Sequence, residues 1–157
     1  MQSTIEKFYH AFGELDAEKM VSCYAENVVF EDPAFGILKG EHAKNMWRML
    51  CESQKGKDFK VVTYDFIGDE KTGSAHWEAF YTFSQTGRKV HNKINAHFEY
   101  ENGLIVKHTD SLNLHAWAKQ AMGFTGFLLG GTSFFKKKLH AKTTRMLQQY
   151  EARKHEK

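Results

Sequence analysis

Three helices are predicted in the first 52 residues, where apolar side chains recur every three to four positions. The first helix opens with a capping box, because the Ser3 hydroxyl can accept a hydrogen bond from the Glu6 amide. Gly13 is placed to end this helix and Asp16 to cap the second. The apolar faces of the three helices are formed by Ile5, Phe8, Tyr9 and Phe12, by Ala17, Met20, Val21 and Tyr24, and by Ala43, Met46, Trp47 and Leu50.

Between the second and third predicted helices, the spacing of apolar residues changes from the helical period to the pattern of a strand. Val28 to Asp32 reads as a short strand, and Pro33 stops it because proline has no amide hydrogen for a sheet. Gly36 and Gly40 bracket a predicted loop.

From Lys57 to about Leu114 the pattern predicts four strands, at about 59–67, 74–84, 89–100 and 104–112. Short turn signals separate them, among them Asn102-Gly103, and both residues of that pair tolerate a positive φ. Consecutive hairpins make an antiparallel meander. A block of helices followed by a block of strands predicts an α+β fold rather than a parallel sheet.

The alternation along these strands assigns one face of each to the interior. The predicted inward residues are Val62, Tyr64 and Phe66; Trp77, Ala79, Tyr81 and Phe83; Asn92, Ile94, Ala96, Phe98 and Tyr100; and Leu104, Val106, His108, Asp110 and Leu112. Asn92, His108 and Asp110 are thus polar residues on apolar faces, where each must find a hydrogen-bond partner or line a cavity. We expect an apolar pocket with Asp32 and Asp110 in its lining, walled by aromatic rings that include Trp47, Trp77, Tyr64 and Tyr81.

The length of 157 residues fits one domain, and the ordinary share of charged residues fits a water-soluble globular protein. We expect a cone over residues 1–118 and a C-terminal extension of the same domain over residues 119–157. Cys23 and Cys51 occur in no metal or redox motif and are expected to be reduced thiols. No signal peptide is recognisable, so a cytoplasmic protein is expected.

The positive charge is concentrated in the extension. From Lys119 onward there are nine Lys and Arg against two Glu, whereas residues 1–118 are net acidic. An apolar, glycine-punctuated stretch at 121–135, too short to span a bilayer, precedes a basic amphipathic helix. We favour a solvated helix face over contact with an anionic membrane surface. Nucleic acid is not expected, because no aromatic stacking platform is interleaved with the basic residues.

The element order resembles the ketosteroid-isomerase-like superfamily, also called the nuclear-transport-factor-2-like or SnoaL-like fold. The resemblance covers residues 3–118 and is carried by Val29–Pro33 and by the strand Gly103–Asp110. The segment Trp117–Gly130 is similar to a bacterial SnoaL-like subgroup of unassigned function. The resemblance implies a cone-shaped pocket, commonly in a homodimer, but no single activity.

In ketosteroid isomerases of this superfamily the aspartate of a V-E-D-P string is the general base, which matches Asp32. Their oxyanion hole needs a tyrosine on the first helix and a protonated acid on the sheet. Here those positions fall on Phe8, with Tyr9 adjacent, and on Ala96. Steroid isomerisation is therefore not expected.

Limonene epoxide hydrolase, in the same superfamily, uses an aspartate on the last strand to activate water, and Asp110 matches it. Its Arg-x-Asp pair falls near His76 and Glu78, which the alternation places on the outer face. SnoaL-like polyketide cyclases need only one aspartate as acid and base.

Two functional hypotheses follow. The first is a cofactor-free isomerase, cyclase or hydrolase acting on a small apolar molecule, with Asp110, His108 and Asp32 as catalytic residues. Asn92 is the candidate to hold a substrate oxygen. No metal is expected, because H-x-x-x-H and H-E-x-x-H spacings do not occur. The alternative is a non-catalytic ligand-binding or dimeric assembly module.

Overall fold

The computed structural model describes residues 3–156, and the helices and strands in that range follow the order expected for an α+β protein, with helices mainly before and after a block of strands. The predicted domain bounds also take in Met1, Gln2 and Lys157, which lie outside the described residues. The elements are α1 Thr4–Gly13, α2 Ala17–Val21, β1 Tyr24–Asp32, β2 Gly36–Lys39, α3 Glu41–Gln54, β3 Lys60–Gly68, β4 Thr72–Phe83, β5 Arg88–Glu101, β6 Leu104–Ser111, α4 Leu114–Met122, α5 Phe124–Leu129 and α6 Ser133–His155.

The helix caps form as the sequence predicts. The Ser3 hydroxyl accepts a hydrogen bond from the Glu6 amide at 3.1 Å, and the Asp16 carboxylate accepts one from the Lys19 amide at 3.1 Å. Such caps satisfy amides that have no partner within the first turn of a helix. They fix where α1 and α2 begin, and so which residues face the sheet.

The six strands form one sheet in the order β2-β1-β6-β5-β4-β3. Strands β3 to β6 are the predicted antiparallel meander, whereas β1 lies parallel to β6 with Phe30 opposite His108. Asp32 and Asp110 each lie two residues beyond this pair. Because side chains alternate with a period of two, both carboxylates lie on the inner face at the carboxyl ends of neighbouring strands.

The interior of the cone is packed with aromatic rings. Trp47 stacks on His108 with an angle of 11° between the ring planes, and Phe8 meets Trp47 edge to face at 5.3 Å between centroids. Offset and edge-to-face contacts of this kind are favourable beyond the apolar area they bury. The buried aromatic residues are Phe8, Tyr9, Phe12, Tyr24, Phe30, Phe35, Trp47, Trp77, Phe98 and Phe135.

The predicted inward face of β3 is wrong at Val62 and Tyr64. Thr63 lies opposite the inward-facing Trp77, so Val62 and Tyr64 belong to the outer face and are exposed. Further along, Ile67 lies opposite Ser74 of the outer face, so the register places Phe66 on the inner side, as predicted. The pairing is also interrupted between Tyr64 and Ile67, where Asp65 takes a positive φ of 56°. Both faces of this edge strand carry apolar residues, so alternation alone did not indicate the correct one.

The predicted inward-facing residues of β6 are confirmed at His108 and Asp110, but the prediction is wrong at the start of the strand. Glu99 of β5 pairs with Lys107 and Tyr100 with Ile105, so Val106 is an extra residue in β6. This bulge shifts the alternation by one residue. Ile105 is therefore buried, whereas the predicted Leu104 is exposed.

Two boundaries near the start of the sheet also differ from the prediction. Tyr24, assigned to the face of the second helix, is the first residue of β1. The predicted loop from Gly36 to Gly40 contains β2, which pairs antiparallel with β1. A four-residue edge strand is too short to show a period, and its partner is needed to define it.

The C-terminal extension packs at two places on the cone. On α4, the Trp117 indole donates a hydrogen bond to the Tyr81 hydroxyl at 2.7 Å. On α6, the Thr143 hydroxyl donates to the carbonyl of Ala34 at 2.9 Å, and His42 of α3 contacts Glu151 at 2.8 Å. The extension thus covers the turn that follows Asp32. Within residues 3–156, no helix is both long and apolar enough to cross a membrane.

A close backbone approach between α4 and α5 generates the first prediction. A Cβ on Gly126 would overlap the carbonyl oxygen of Ala118, whereas a Cβ on Gly13 would meet nothing within 4 Å. We expect Gly126→Ala to lower the free energy of unfolding by about 1–3 kcal/mol, since forced overpacking costs that much. The matched Gly13→Ala should leave it unchanged or slightly raised. Urea titration followed by tryptophan fluorescence measures both, and equal midpoints would contradict the tight α4–α5 contact.

Candidate functional site

The centre of the cone holds two polar side chains that water does not reach. His108 is 0% exposed and Asp110 is 5% exposed, and the His108 Nε2 lies 2.9 Å from the Asp110 Oδ1. They are neighbours because residues i and i+2 of a strand point to the same side. A buried carboxylate is tolerated only when it is paired and hydrogen-bonded, and this contact supplies a partner.

The pair extends into a continuous chain of hydrogen bonds. The Tyr24 hydroxyl lies 2.7 Å from the other ring nitrogen of His108, Nδ1, and accepts a hydrogen bond from the Trp47 indole at 2.8 Å. At the opposite end, the Trp77 indole donates to the Asp110 Oδ1 at 3.4 Å. Since Tyr24 accepts from Trp47, its own proton is free to go to Nδ1. The network thus assigns the His108 proton to Nε2, which donates to Asp110.

Asp32 is the last residue of β1, where the turn to β2 begins. Its Oδ1 accepts hydrogen bonds from the amides of Ala34 at 3.0 Å and Phe35 at 2.6 Å. Burial raises the pKa of Asp32 to about 6, against the lowering effect of the Phe35 amide and with a further rise from the negative charge of Asp110. All hydrogen bonds of Asp32 within residues 3–156 go to Oδ1, so Oδ2 is left available.

Tyr9 provides a buried polar group whose hydroxyl is not used by the fold. Its oxygen is buried and has no hydrogen-bond partner among the described residues. The ring lies 5.8 Å from that of Trp77, and burial together with the charge of Asp110 raises the pKa of Tyr9 well above its usual value. An unpaired buried hydroxyl is rare in native proteins, which makes Tyr9 a candidate ligand contact.

The predicted site residues separate into three groups. Trp47 and Trp77 lie with His108 and Asp110 in the hydrogen-bond chain. Tyr81 and Asn92 share the inner face but lie towards α4, because Asn92 is four residues along β5 from Ala96, the partner of Asp110. The prediction that Tyr64 lines the pocket is wrong, because Tyr64 lies on the outer face of the sheet and stacks on His76.

The two best-defined cavities among residues 3–156 differ from the pocket expected between the two aspartates, because neither is lined by Asp32, His108 or Asp110. One of about 600 Å³ lies on the outer face beside His97 and Lys107. The other, of about 320 Å³, lies beside Pro33 and Leu112, the residues just beyond the two carboxylates. The predicted interior space is filled by aromatic rings instead.

Sequence reasoning missed Tyr24 as a site residue and gave Tyr9 no role of its own. Tyr24 was assigned to a helix face, although the change of period after it was visible. The sequence placed Tyr9 next to Phe8, which falls at the position where ketosteroid isomerases have their tyrosine. Only the structure shows that the Tyr9 hydroxyl has no partner among the described residues. Residues 3–156 contain no group of three or more His, Cys, Asp or Glu side chains arranged to hold a metal ion.

The helices, the curved six-stranded sheet and the two carboxylates inside it define an α+β cone of the nuclear-transport-factor-2-like class. A family model for the SnoaL-like domain matches residues 5–108. The chain belongs to the SnoaL-like family.

Solved structures with the same fold are distant in sequence. An NTF2-like protein of unknown function from Burkholderia pseudomallei superposes with a TM-score of 0.63 at 17% identity, covering 76% of this chain and 95% of that one. An epoxide hydrolase of the limonene type from M. tuberculosis has a TM-score of 0.59 at 18% identity, covering 81% and 88%. A candidate polyketide cyclase from Silicibacter sp. has a TM-score of 0.59 at 21% identity, covering 75% and 92%. A search of curated proteins finds no match.

The raised pKa of Asp32 predicts a pH-dependent stability. Because the folded pKa of about 6 exceeds the ordinary value of 3.8, protonation favours the folded state. That contribution is complete below about pH 3.8 and is lost as the pH rises through 6. Asp32→Asn keeps an oxygen for the two amides and removes the buried charge. We expect it to be more stable than the parent above pH 6.5, by about 1–3 kcal/mol, and equally stable near pH 4.

Asp69→Asn is the matched control for this comparison. Asp69 also accepts two backbone amides, from Lys71 and Thr72, but it is exposed and its pKa is lowered rather than raised. It should bring no stabilisation at neutral pH. Urea unfolding from pH 4 to 8 measures both variants, and a pH-independent difference for Asp32→Asn would refute the raised pKa.

Two tyrosine-to-phenylalanine changes test the hydrogen-bond chain. Tyr24→Phe leaves the Trp47 indole and the His108 Nδ1 buried without a partner, and each such group costs about 1–3 kcal/mol. We expect a loss of about 2–4 kcal/mol. Tyr9→Phe removes a hydroxyl that has no partner and should be neutral or stabilising. Thermal and urea unfolding compare the two, and equal losses would contradict the assigned network.

Proposed function

We propose that the protein catalyses a cofactor-free acid/base reaction on a small, mostly apolar molecule that carries a carbonyl or ether oxygen. The reaction class is isomerisation, cyclisation or hydrolytic ring opening. The observation that carries the proposal is the pair of carboxylates at the ends of neighbouring strands, Asp110 in a hydrogen-bond chain and Asp32 with a pKa of about 6. A buried carboxylate with a raised pKa, as at Asp32, is characteristic of acid/base sites.

Asp32 is the proposed general base. A base acts best when its pKa lies close to the working pH, because it is then both ionised and basic enough. The amides of Ala34 and Phe35 hold Oδ1, which orients Oδ2 as the atom that takes the proton. That proton comes from a carbon next to a carbonyl, or from a water molecule.

The chain through His108 is the proposed second part of the machinery. Asp110 and His108 share one hydrogen bond, and the Tyr24 hydroxyl connects them to Trp47. Asp32, once protonated, returns the proton that it has taken to the product, while this chain holds the Asp110 carboxylate in place beside the reacting atoms. The free Tyr9 hydroxyl is the proposed donor for a developing oxyanion, in place of the acids absent at Phe8 and Ala96.

The smaller cavity is the proposed entry to the site. Its volume of about 320 Å³ is at the lower end of small-molecule pockets. It adjoins Pro33 and Leu112, one residue from Asp32 and two from Asp110. The larger cavity, on the outer face, is lined by neither Asp32 nor Asp110, so no catalytic role is proposed for it. Substrate binding then requires rings such as Trp77 to shift.

The similar structures support this class of reaction. One is an epoxide hydrolase and another a candidate polyketide cyclase. Both activities rely on proton transfer without an organic cofactor. At 18% and 21% identity, these structures do not indicate which substrate this chain would bind.

The dense packing around His108 favours one alternative, a non-catalytic ligand-binding or dimeric assembly module. Phe98 lies 4.3 Å and Phe30 5.1 Å from the His108 ring, between ring centroids. A cone that stays filled has no room for a substrate. This alternative predicts ligand binding without turnover, or no ligand binding at all.

A ligand screen followed by two carboxylate variants tests the proposed function. Steroid enones, terpene epoxides and polyketide-like compounds are screened by thermal shift, and stabilising ligands are assayed for turnover. We expect Asp32→Asn and Asp110→Asn each to lower kcat by about 10²- to 10⁴-fold, the usual contribution of a general acid or base. Asp69→Asn, remote from the site, should keep full activity. Unchanged turnover in both site variants would exclude the proposed machinery.

The pH profile separates the two carboxylates. If Asp32 is the base, log(kcat/KM) should rise with unit slope up to about pH 6 and level off above it, because only the ionised form accepts a proton. Asp32→Asn should lose this limb, whereas Tyr9→Phe should keep it at a reduced rate. A profile that is flat from pH 5 to 8 would rule out Asp32 as the base.

A further inference from the structure

The C-terminal extension exposes a cluster of large apolar side chains that the cone does not cover. The cluster, called here the α5 patch, lies within residues 124–134 and reaches 74% exposure at Phe124. Its members are Phe124, Phe127, Leu128, Leu129 and Phe134. Single exposed apolar residues are ordinary, but five of them in one short segment mark an interaction surface.

Cations surround the α5 patch and lie in contact with its rings. The Lys119 Nζ is 5.8 Å from the centre of the Phe127 ring, and the Lys138 Nζ is 4.9 Å from that of Phe134. Lys136 and Lys137 are exposed on the same turn of α6. From residue 111 to residue 150 the sequence contains no Asp or Glu. The segment that carries the patch is therefore apolar at its centre, flanked by lysines and free of acidic residues.

The backbone holds the α5 patch in its exposed position. Gly126 packs directly on the backbone of Ala118, and the His115 Nε2 lies 2.8 Å from the carbonyl oxygen of Phe127. Phe124 and Phe127 lie on a short helix fixed in this way, so they are presented without a large ordering cost on binding.

We propose that the α5 patch docks the protein on an anionic lipid surface. Phenyl and leucyl side chains enter the boundary between headgroups and acyl chains, while lysines beside them reach the lipid phosphates and carboxylates. A second copy of this chain fits poorly, because it would bring an equally cationic rim against the first. The charge complementarity thus selects the membrane as the partner. The inference does not depend on the proposed catalytic function.

Vesicle co-sedimentation of the full chain tests this proposal. Two vesicle types are used, phosphatidylcholine alone and phosphatidylcholine with phosphatidylserine. We expect binding to the anionic vesicles that weakens as salt is raised, and at least tenfold weaker binding to the neutral ones. Each lysine near an anionic surface strengthens binding by about fivefold, so several account for this difference.

Two triple variants separate the apolar and the cationic contributions. Phe124→Ser with Phe127→Ser and Leu128→Ser removes the centre of the patch, and Lys136→Gln with Lys137→Gln and Lys138→Gln removes part of its rim. Each should weaken binding to anionic vesicles at least tenfold. The controls are Ile67→Ser, which removes a side chain that is 70% exposed on the sheet, and Lys55→Gln with Lys57→Gln and Lys71→Gln. These controls should bind like the parent, and circular dichroism checks that every variant is folded.

Three results would overturn the proposal. The first is no binding of the parent to anionic vesicles. The second is equal binding of the parent and the apolar triple variant, which would reduce the contact to charge alone. The third is a concentration-dependent dimer in sedimentation velocity that the apolar variant abolishes, which would assign the patch to a second copy.

Discussion

A histidine with no access to water needs a hydrogen-bond partner at both ring nitrogens, and this need organises the centre of the protein. His108 has Asp110 at one nitrogen and the Tyr24 hydroxyl at the other. Tyr24 reaches it only because β1 lies parallel to β6, with Phe30 opposite His108. The parallel pairing of β1 with β6 is therefore what gives the buried His108 ring its second hydrogen-bond partner.

That pairing also creates an electrostatic conflict. It places Asp32 and Asp110 at the carboxyl ends of neighbouring strands, where the charge of Asp110 raises the pKa of Asp32. Folding alone gives no reason to keep two acids in this position, because a neutral residue could accept the same amides at Asp32. Strain that the fold does not need is typical of functional sites, where stability is given up for reactivity. The conflict is the strongest physical argument for chemistry in this cone.

Local signals predicted the parts of the structure that depend on local interactions. The caps at Ser3 and Asp16, the hairpin at Asn102-Gly103 and the inward direction of His108 and Asp110 were all readable from neighbouring residues. What could not be read depends on distant partners.

Tyr64 was assigned to the wrong face because either phase of β3 presents apolar residues, and only the pairing of Thr63 with Trp77 decides between them. Tyr24 follows Met20 and Val21 at helical spacing, so the sequence allows it to continue the second helix. It belongs to a strand because it pairs with Ile105, which lies some eighty residues later in the sequence. The filled interior also lay beyond the sequence, because counting aromatic residues does not show whether they line a cavity or occupy it.

The C-terminal extension combines two roles that different forces support. Its inner side is fixed by directional contacts, such as the Thr143 hydroxyl on Ala34 and the Trp117 indole on Tyr81. Its outer side has large apolar residues that gain nothing from this packing. Folding stability explains the first set and not the second, since exposed phenyl groups lower solubility without stabilising the fold. The residues that follow α5, from Gly130 to Thr132, line the same cavity as Pro33, so a partner bound at the α5 patch would lie close to the proposed entry of the candidate site.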